Sequence, residues 1–212
     1  MPKSTKGKDK KQKRKEDSKK IDEHWKLVEA ANYLSDPLDQ LVSFQKYDKN
    51  GLNLSFSCIK KANLDDEVLQ WAFNLTKSNM EDLYTSSWGW NDKEKMKELT
   101  DDRMWFLLAM DQDSKPVAFS SFRFDLDFGE PVVYCYEIQL EMKVQRKGLG
   151  KMMMQILQLF ALKNQMSKVV STVLNCNETS KGFFMGKLRY EVDETSPEGE
   201  CYVILSKKTK SS

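Results

Sequence analysis

Residues 1 to about 19 carry almost no apolar side chains. Nothing there can bury, so the segment is expected to lack structure. From Ile21 the pattern changes: Ile21, Trp25, Val28 and Ala31 recur at helical spacing and stop near Ser35-Asp36-Pro37, where a proline ends a helix. Asn53 to Lys60 alternate like a strand. Asp65 to Tyr84 read as a helix with Val68, Ala72, Leu75 and Leu83 on one side, and after the Trp88-Gly89-Trp90 break Asp92 to Leu99 form a short charged helix. Strands then follow in series. Met104 to Met110 and Pro116 to Asp127 are joined by the polar turn Asp111 to Lys115, a hairpin signal. Phe128-Gly129-Glu130-Pro131 turns the chain into Val132 to Leu140. Leu149, Met152, Met153, Ile156, Leu157 and Phe160 make one apolar helix face. Lys168 to Leu174 is a β-branched strand, Lys181 to Lys187 a helix, and Tyr190 to Asp193 and Cys201 to Ser206 are closing strands. Antiparallel strands followed by strand–helix–strand predict a single α/β (α+β) domain over residues 20–212, preceded by the tail 1–19.

Composition changes this picture in two places. The 212 residues carry a net charge of only +2, but the first twenty hold ten lysines and arginines against three acids, so the body is slightly acidic. The run Lys8 to Lys15 fits a nuclear address, a nucleic-acid patch or a plain solvated tail. No apolar run is long enough to span a bilayer, and the amino terminus lacks the apolar core of a secretory signal. Cys58, Cys135, Cys176 and Cys201 stand singly, and His24 is the only histidine. That spacing argues against a metal centre or a Cys–His nucleophile and for buried free thiols.

The most specific local signal is Gln145-Arg146-Lys147-Gly148-Leu149-Gly150. It sits between the Val132–Leu140 strand and the Leu149 helix. A strand, a basic glycine turn and a helix start aim several backbone N–H groups at one point, which favours an anion such as a phosphate. Neither Gly-x-Gly-x-x-Gly nor the Walker form is present.

Gln145-x-x-Gly148-x-Gly150 resembles the pyrophosphate loop of the acetyl-CoA-dependent N-acetyltransferases of the GNAT superfamily. Asn177-x-x-Ser180-x-x-Phe183-Phe184, followed by Leu188-Arg189-Tyr190, resembles a second motif of that family. The resemblance covers roughly residues 50–206. It implies the GNAT acyl-CoA N-acyltransferase fold, a mixed and mostly antiparallel sheet flanked by helices, with acetyl-CoA as co-substrate and no metal. Further segments narrow it: Tyr84-x-x-x-Trp88-Gly89-Trp90, Phe122-Arg123-Phe124-Asp125, Tyr134 to Glu141 and Arg146 to Lys151. Together with Asp36-Pro37-Leu38, Lys46 to Asn53 and the lysine-rich tail, these resemble the NatD class of N-alpha-acetyltransferases, which act on histone H4 and histone 2A.

The resemblance and the residues together assign roles. The turn Lys147, Gly148, Leu149, Gly150, Lys151 and Met152 would hold the pyrophosphate on backbone N–H groups. Gln139, Leu140 and Glu141 would line the pantetheine arm like an added strand, with a backbone N–H near Leu140 facing the developing oxyanion. Asn177 is implied as a further cofactor contact. Phe184 stands where many members carry a tyrosine that protonates the leaving thiolate, and a phenyl ring has no proton to give.

Glu137 is the candidate base. Strict alternation sets it opposite Tyr134 and Tyr136, unless the strand carries the bulge that GNAT folds have. Asp125 and Asp127 flank Leu126 on one strand face, where two carboxylates suit an arginine-bearing peptide. Tyr84, Trp88, Tyr134, Tyr136 and Tyr202 would wall the peptide's first residues, with Thr172 and Thr195 as further contacts implied by the resemblance.

The function expected is acetyl transfer to the free amine of Ser-Gly-Arg-Gly type N-termini, as in histone H4 and histone 2A, in nucleus and cytoplasm. No auxiliary subunit and no membrane are implied, and the basic tail suits ribosome association. A lysine-side-chain or small-amine acetyltransferase is the second reading. A nucleic-acid or chromatin-binding module led by the tail is the third.

Overall fold

The computed structural model describes residues 5–209, with side chains from residue 12 onward. Its centre is an eight-stranded sheet in the order β1-β2-β3-β4-β5-β6-β8-β7. The strands are β1 (Lys46–Lys49), β2 (Leu52–Lys60), β3 (Trp105–Met110), β4 (Pro116–Asp127), β5 (Glu130–Leu140), β6 (Lys168–Leu174), β7 (Glu191–Val192) and β8 (Tyr202–Lys208). Only β5 and β6 run parallel, and the helix α4 (Leu149–Lys163) connects them. This is the mixed, mostly antiparallel sheet expected.

Alternation along β3 shows how the sequence builds two cores. Trp105, Leu107 and Ala109 point into one cluster, Phe106 and Leu108 into the other. The first cluster is covered by α1 (Thr5–Asn32) and α4, through Val28, Ala31, Met153, Ile156, Leu157 and Phe160. The second is covered by α2 (Asp66–Thr85) and α3 (Asp92–Leu99), through Leu69, Ala72, Phe73 and Leu99. Each such side chain contributes about 1.5–3 kcal/mol of burial. The buried stripe of α2 is therefore Leu69, Ala72, Phe73 and Thr76. Val68 and Leu75, expected on the apolar side, are only partly buried.

Three expectations are corrected. The segment expected to lack structure is helical from Thr5. Its described side chains before His24 are exposed, so propensity and pairs such as Lys19–Glu23 support it rather than burial. Further along, α1 is tied to the β4–β5 hairpin, where the His24 ring N–H donates to the Gly129 carbonyl at 2.6 Å and Lys20 pairs with Glu130 at 3.0 Å. Secondly, β1 was not anticipated. It pairs with β2 through the turn at Asn50 and Gly51, both at positive φ. Thirdly, the Lys181–Lys187 helix is a short α-helix α5 (Glu178–Lys181) continuing as a π-helical turn, Gly182–Lys187. Of the four free cysteines only Cys58 and Cys135 are buried, while Cys176 is exposed.

Candidate active site

Two departures from regular β-structure make the site. The first is a bulge. β4 and β5 pair Ser121 with Glu137 but Phe122 with Cys135, so Tyr136 is the extra residue on β5. An inserted residue reverses the facing of everything beyond it. Tyr134, paired with Arg123, and Glu137, paired with Ser121, therefore share the face under α2 and α3. Strict alternation would have separated them. The Tyr134 and Tyr136 rings lie 4.9 Å apart.

The second departure is a splay. β5 and β6 pair from Val132–Lys168 to Cys135–Ser171 and no further. Beyond that point β5 stays with β4 and β6 with β8. The strands open into a cleft that leads into a cavity of about 410 Å³. Glu137, Gln139, Tyr134, Tyr136, Tyr84, Trp88, Thr172 and Asn177 line it.

Glu137 is 4% exposed, and both its oxygens are engaged. The Lys95 ammonium donates to Oε1 at 2.8 Å, the Gln139 amide donates to Oε2 at 2.8 Å, and the Tyr84 hydroxyl donates to Oε1 at 3.5 Å. Lys95 also donates to Glu98 at 2.8 Å and to the Tyr84 hydroxyl at 3.2 Å, and sits 4.9 Å over the Tyr84 ring. Burial works against the Lys95 ammonium, but the carboxylates of Glu137 and Glu98 outweigh it and lift its pKa above the ordinary lysine range. Burial first, and then the Glu137 charge, raise Glu98 against the pull of Lys95. Burial also lifts the Tyr84 phenol well up and pushes Tyr136 up to about 12, so both stay protonated and can donate.

Lys95, Glu98 and Arg123 are the charged members that the sequence reading missed. Lys95 lies four residues before Leu99, hence on the buried face of α3. That spacing was the available signal. Arg123 is 9% exposed, stacks 4.4 Å over the Tyr136 ring and pairs with Asp101 at 3.3 Å.

The glycine turn lies beside the cleft. Gly148 is the N-cap of α4 at φ 83°, with no side chain capping the helix. The N–H groups of the first turn, Leu149 to Lys151, therefore have no capping side chain and are available to an anion. The Lys147 carbonyl points the other way and accepts from the Tyr47 hydroxyl at 2.6 Å and the Asn50 amide at 2.9 Å. Gly150 packs under Phe183, where an added Cβ would lie 3.3 Å from the ring. The Leu140 carbonyl accepts from the Gln145 amide at 3.0 Å and the Asn79 amide at 3.3 Å, and the Glu141 N–H is spent on Val117. Met152 follows with its N–H on the Gly148 carbonyl. Asn177 caps α5 by accepting from Ser180 at 2.9 Å. The tight cradle at Gly148 and Gly150, the uncapped helix start and the open strand edge fit a pyrophosphate with an extended arm.

The remaining expected contacts divide. Tyr134 and Thr172 are joined by a 2.6 Å hydrogen bond. Tyr84, Trp88 and Tyr202 form a ladder with 5.3 Å between successive ring centroids, so Tyr202 stands behind Trp88 rather than on the cavity wall. Asp125 and Asp127 lie outside the cavity lining. Asp125 pairs with Arg103 at 3.3 Å, and Asp127 has Lys168 at 3.9 Å and an Oδ2 without a hydrogen-bond partner. Leu126 packs on the core. Thr195 is not on the cavity: its hydroxyl and N–H both donate to Asp193, which also binds Lys168. Phe184 is buried with its ring 5.3 Å from that of Tyr190.

The pattern of the Acetyltransferase (GNAT) family matches residues 69–188, from α2 through the π-helical turn. Solved structures share the architecture at low identity. Tetrahymena GCN5 superposes with a TM-score of 0.59 at 11% identity, over 74% of this chain and 97% of that one. The ribosomal-protein-S18-alanine N-acetyltransferase from Escherichia coli gives 0.52 at 15% identity, over 74% and 96%. NAA60 from Arabidopsis thaliana, in complex with a bisubstrate analogue, gives 0.52 at 8%, over 73% and 98%. A bulged β5, a cleft between β5 and β6 and a glycine turn at the head of α4 thus lie inside the matched span, and the chain belongs to the GNAT family of acetyltransferases, acyltransferases that use acetyl-CoA.

Proposed function

We propose that this chain is a NatD-type N-alpha-acetyltransferase, moving acetyl from acetyl-CoA to the free N-terminal amine of histone H4 and histone 2A tails. The observation that carries the reading is the bulge at Tyr136, which gathers Glu137 and the tyrosines on one face of the cavity beside the cleft. Acetyl-CoA supplies an activated acyl thioester. The N–H groups of Leu149, Gly150 and Lys151 hold its pyrophosphate, and the open edge of β5 from Gln139 to Glu141 lines its arm. Asn177, which lines the cavity, contacts the same arm in this reading. The aromatic residues exclude water and hold a chain end, and Glu137 takes the proton from the amine. An α-amine has a pKa of about 7.7–8.0, so part of it is already neutral near pH 7. A lysine side chain, at about 10.4, demands a much stronger base.

In this reading Asp125 and Asp127 exchange their contacts with Arg103 and Lys168 for an arginine near the peptide start. Asp125→Ala with Asp127→Ala should raise KM for an arginine-bearing peptide roughly tenfold or more, since a charged hydrogen bond contributes about 1.5–3 kcal/mol. A neutral peptide should be nearly unaffected. Equal loss for both peptides in steady-state kinetics would argue against arginine recognition. In this reading the basic start of α1 serves import or ribosome association, and the enzyme works in nucleus and cytoplasm.

The direct test is acetyl transfer to a Ser-Gly-Arg-Gly-Lys peptide with a free or a blocked amino terminus, mapped by fragmentation mass spectrometry. Acetyl on the free α-amine alone is the expected product. Acetyl on the lysine would replace this reading with side-chain acetylation.

A further inference from the structure

The buried cation beside Glu137 needs a reason, because the cavity could have been walled with apolar groups instead. Taking an ammonium and a carboxylate out of water costs several kcal/mol per ion. Lys95 meets that cost with three bonds, to Glu137, Glu98 and Tyr84. Its side chain is 8% exposed and that of Glu137 is 4% exposed.

We propose that Lys95 is a positioning residue for acetyl transfer: its ammonium, held also by Glu98 and Tyr84, fixes Glu137 inside the cavity as the carboxylate that takes the proton from the amine. A carboxylate this deeply buried without a counter-ion would take up a proton and stop accepting one from substrate. The ammonium bonded to Oε1 supplies that counter-ion.

The charged and titratable groups around Glu137 agree with this. α2 contributes Tyr84, and α3 contributes Lys95 and Glu98. β4 contributes Arg123, which Asp101 engages, and β5 contributes Tyr136 and Cys135. Burial raises the Cys135 thiol to about 11 and keeps it neutral, as it keeps both phenols. Arg123 and Asp101 balance each other. The immediate cluster is one ammonium against two carboxylates, so it retains one negative charge to draw in the ammonium of a peptide start. Glu98 and Lys95 also border the neighbouring groove along α3.

The inference rests on Glu137 being the base, and the experiment separates the two. Full-length Lys95→Met, Lys95→Arg and Glu98→Gln would be assayed for kcat/KM against pH with the Ser-Gly-Arg-Gly-Lys peptide. Acetyl-CoA affinity and melting temperature would be measured alongside. In K95M the acidic limb should move up by more than about one pH unit, as for a buried carboxylate deprived of its cation, with activity recovering in alkali and acetyl-CoA affinity unchanged. K95R should restore the wild-type limb. E98Q, which removes a neighbouring negative charge, should move the limb toward lower pH and stays informative if K95M does not fold. A uniform loss at every pH, or no movement in either K95M or E98Q, overturns the role of Lys95. Full activity in E137Q would instead remove the base assignment itself.

Discussion

Glu137→Gln should leave acetyl-CoA binding intact and lower kcat by a factor of roughly 100 or more, the range general-base catalysis contributes. The amide is nearly isosteric with the carboxylate, so the cavity keeps its shape. Two bonds change character. Lys95 loses a charged acceptor at 2.8 Å but retains Glu98 at 2.8 Å, so the ammonium is not stranded. The new side chain has a single carbonyl oxygen, so when it accepts from the Gln139 amide its NH2 faces Lys95 and that bond is lost. Stability should therefore fall by about 1.5–3 kcal/mol, the scale of one charged hydrogen bond. Pre-steady-state turnover with saturating peptide separates chemistry from binding. Wild-type turnover in E137Q would remove Glu137 as base and hand the proton to a water in the same cavity.

The sequence carried the elements far better than the facing of side chains. β4 is found at Pro116–Asp127 and α3 at Asp92–Leu99, as the apolar pattern predicts. The glycine turn was legible because its requirement is local: a strand, a left-handed residue and a helix start within a few positions. The bulge was not legible. Tyr-Cys-Tyr-Glu is compatible with regular alternation, and only pairing with β4 shows that Tyr136 is the extra residue. The fate of each charge was hidden for the same reason. Lys95 sits in a mostly charged segment where only its spacing to Leu99 hints at burial, and its ammonium reaches Glu137 on β5. Asp125 and Asp127 read as a free acidic pair, but Arg103 and Lys168 come to them from outside β4. Thr195, implied by resemblance alone, is held by Asp193 in the turn before β8.

Gly148→Ala is expected to weaken acetyl-CoA binding by roughly tenfold or more, and it separates two causes that usually act together. The residue sits at φ 83°, where a Cβ costs about 1–2 kcal/mol. The same Cβ would also lie 2.7 Å from the Tyr47 hydroxyl. That hydroxyl cannot simply swing away, because Tyr47 is 6% exposed and donates to the Lys147 carbonyl at 2.6 Å. Moving it breaks the bond that holds the Lys147 peptide, and the N–H groups following that peptide lose their aim. Tyr47→Phe alone keeps Gly148 and removes the bond, contributing a loss of about 1 kcal/mol. In the double variant the hydroxyl clash is gone but the backbone strain remains. Calorimetric titration with acetyl-CoA should then place the double variant tighter than G148A and weaker than Y47F. If G148A binds as tightly as wild type, the turn does not hold the pyrophosphate. If the double variant is no better than G148A, backbone strain alone accounts for the glycine, and Tyr47 supports the turn without limiting what can occupy it.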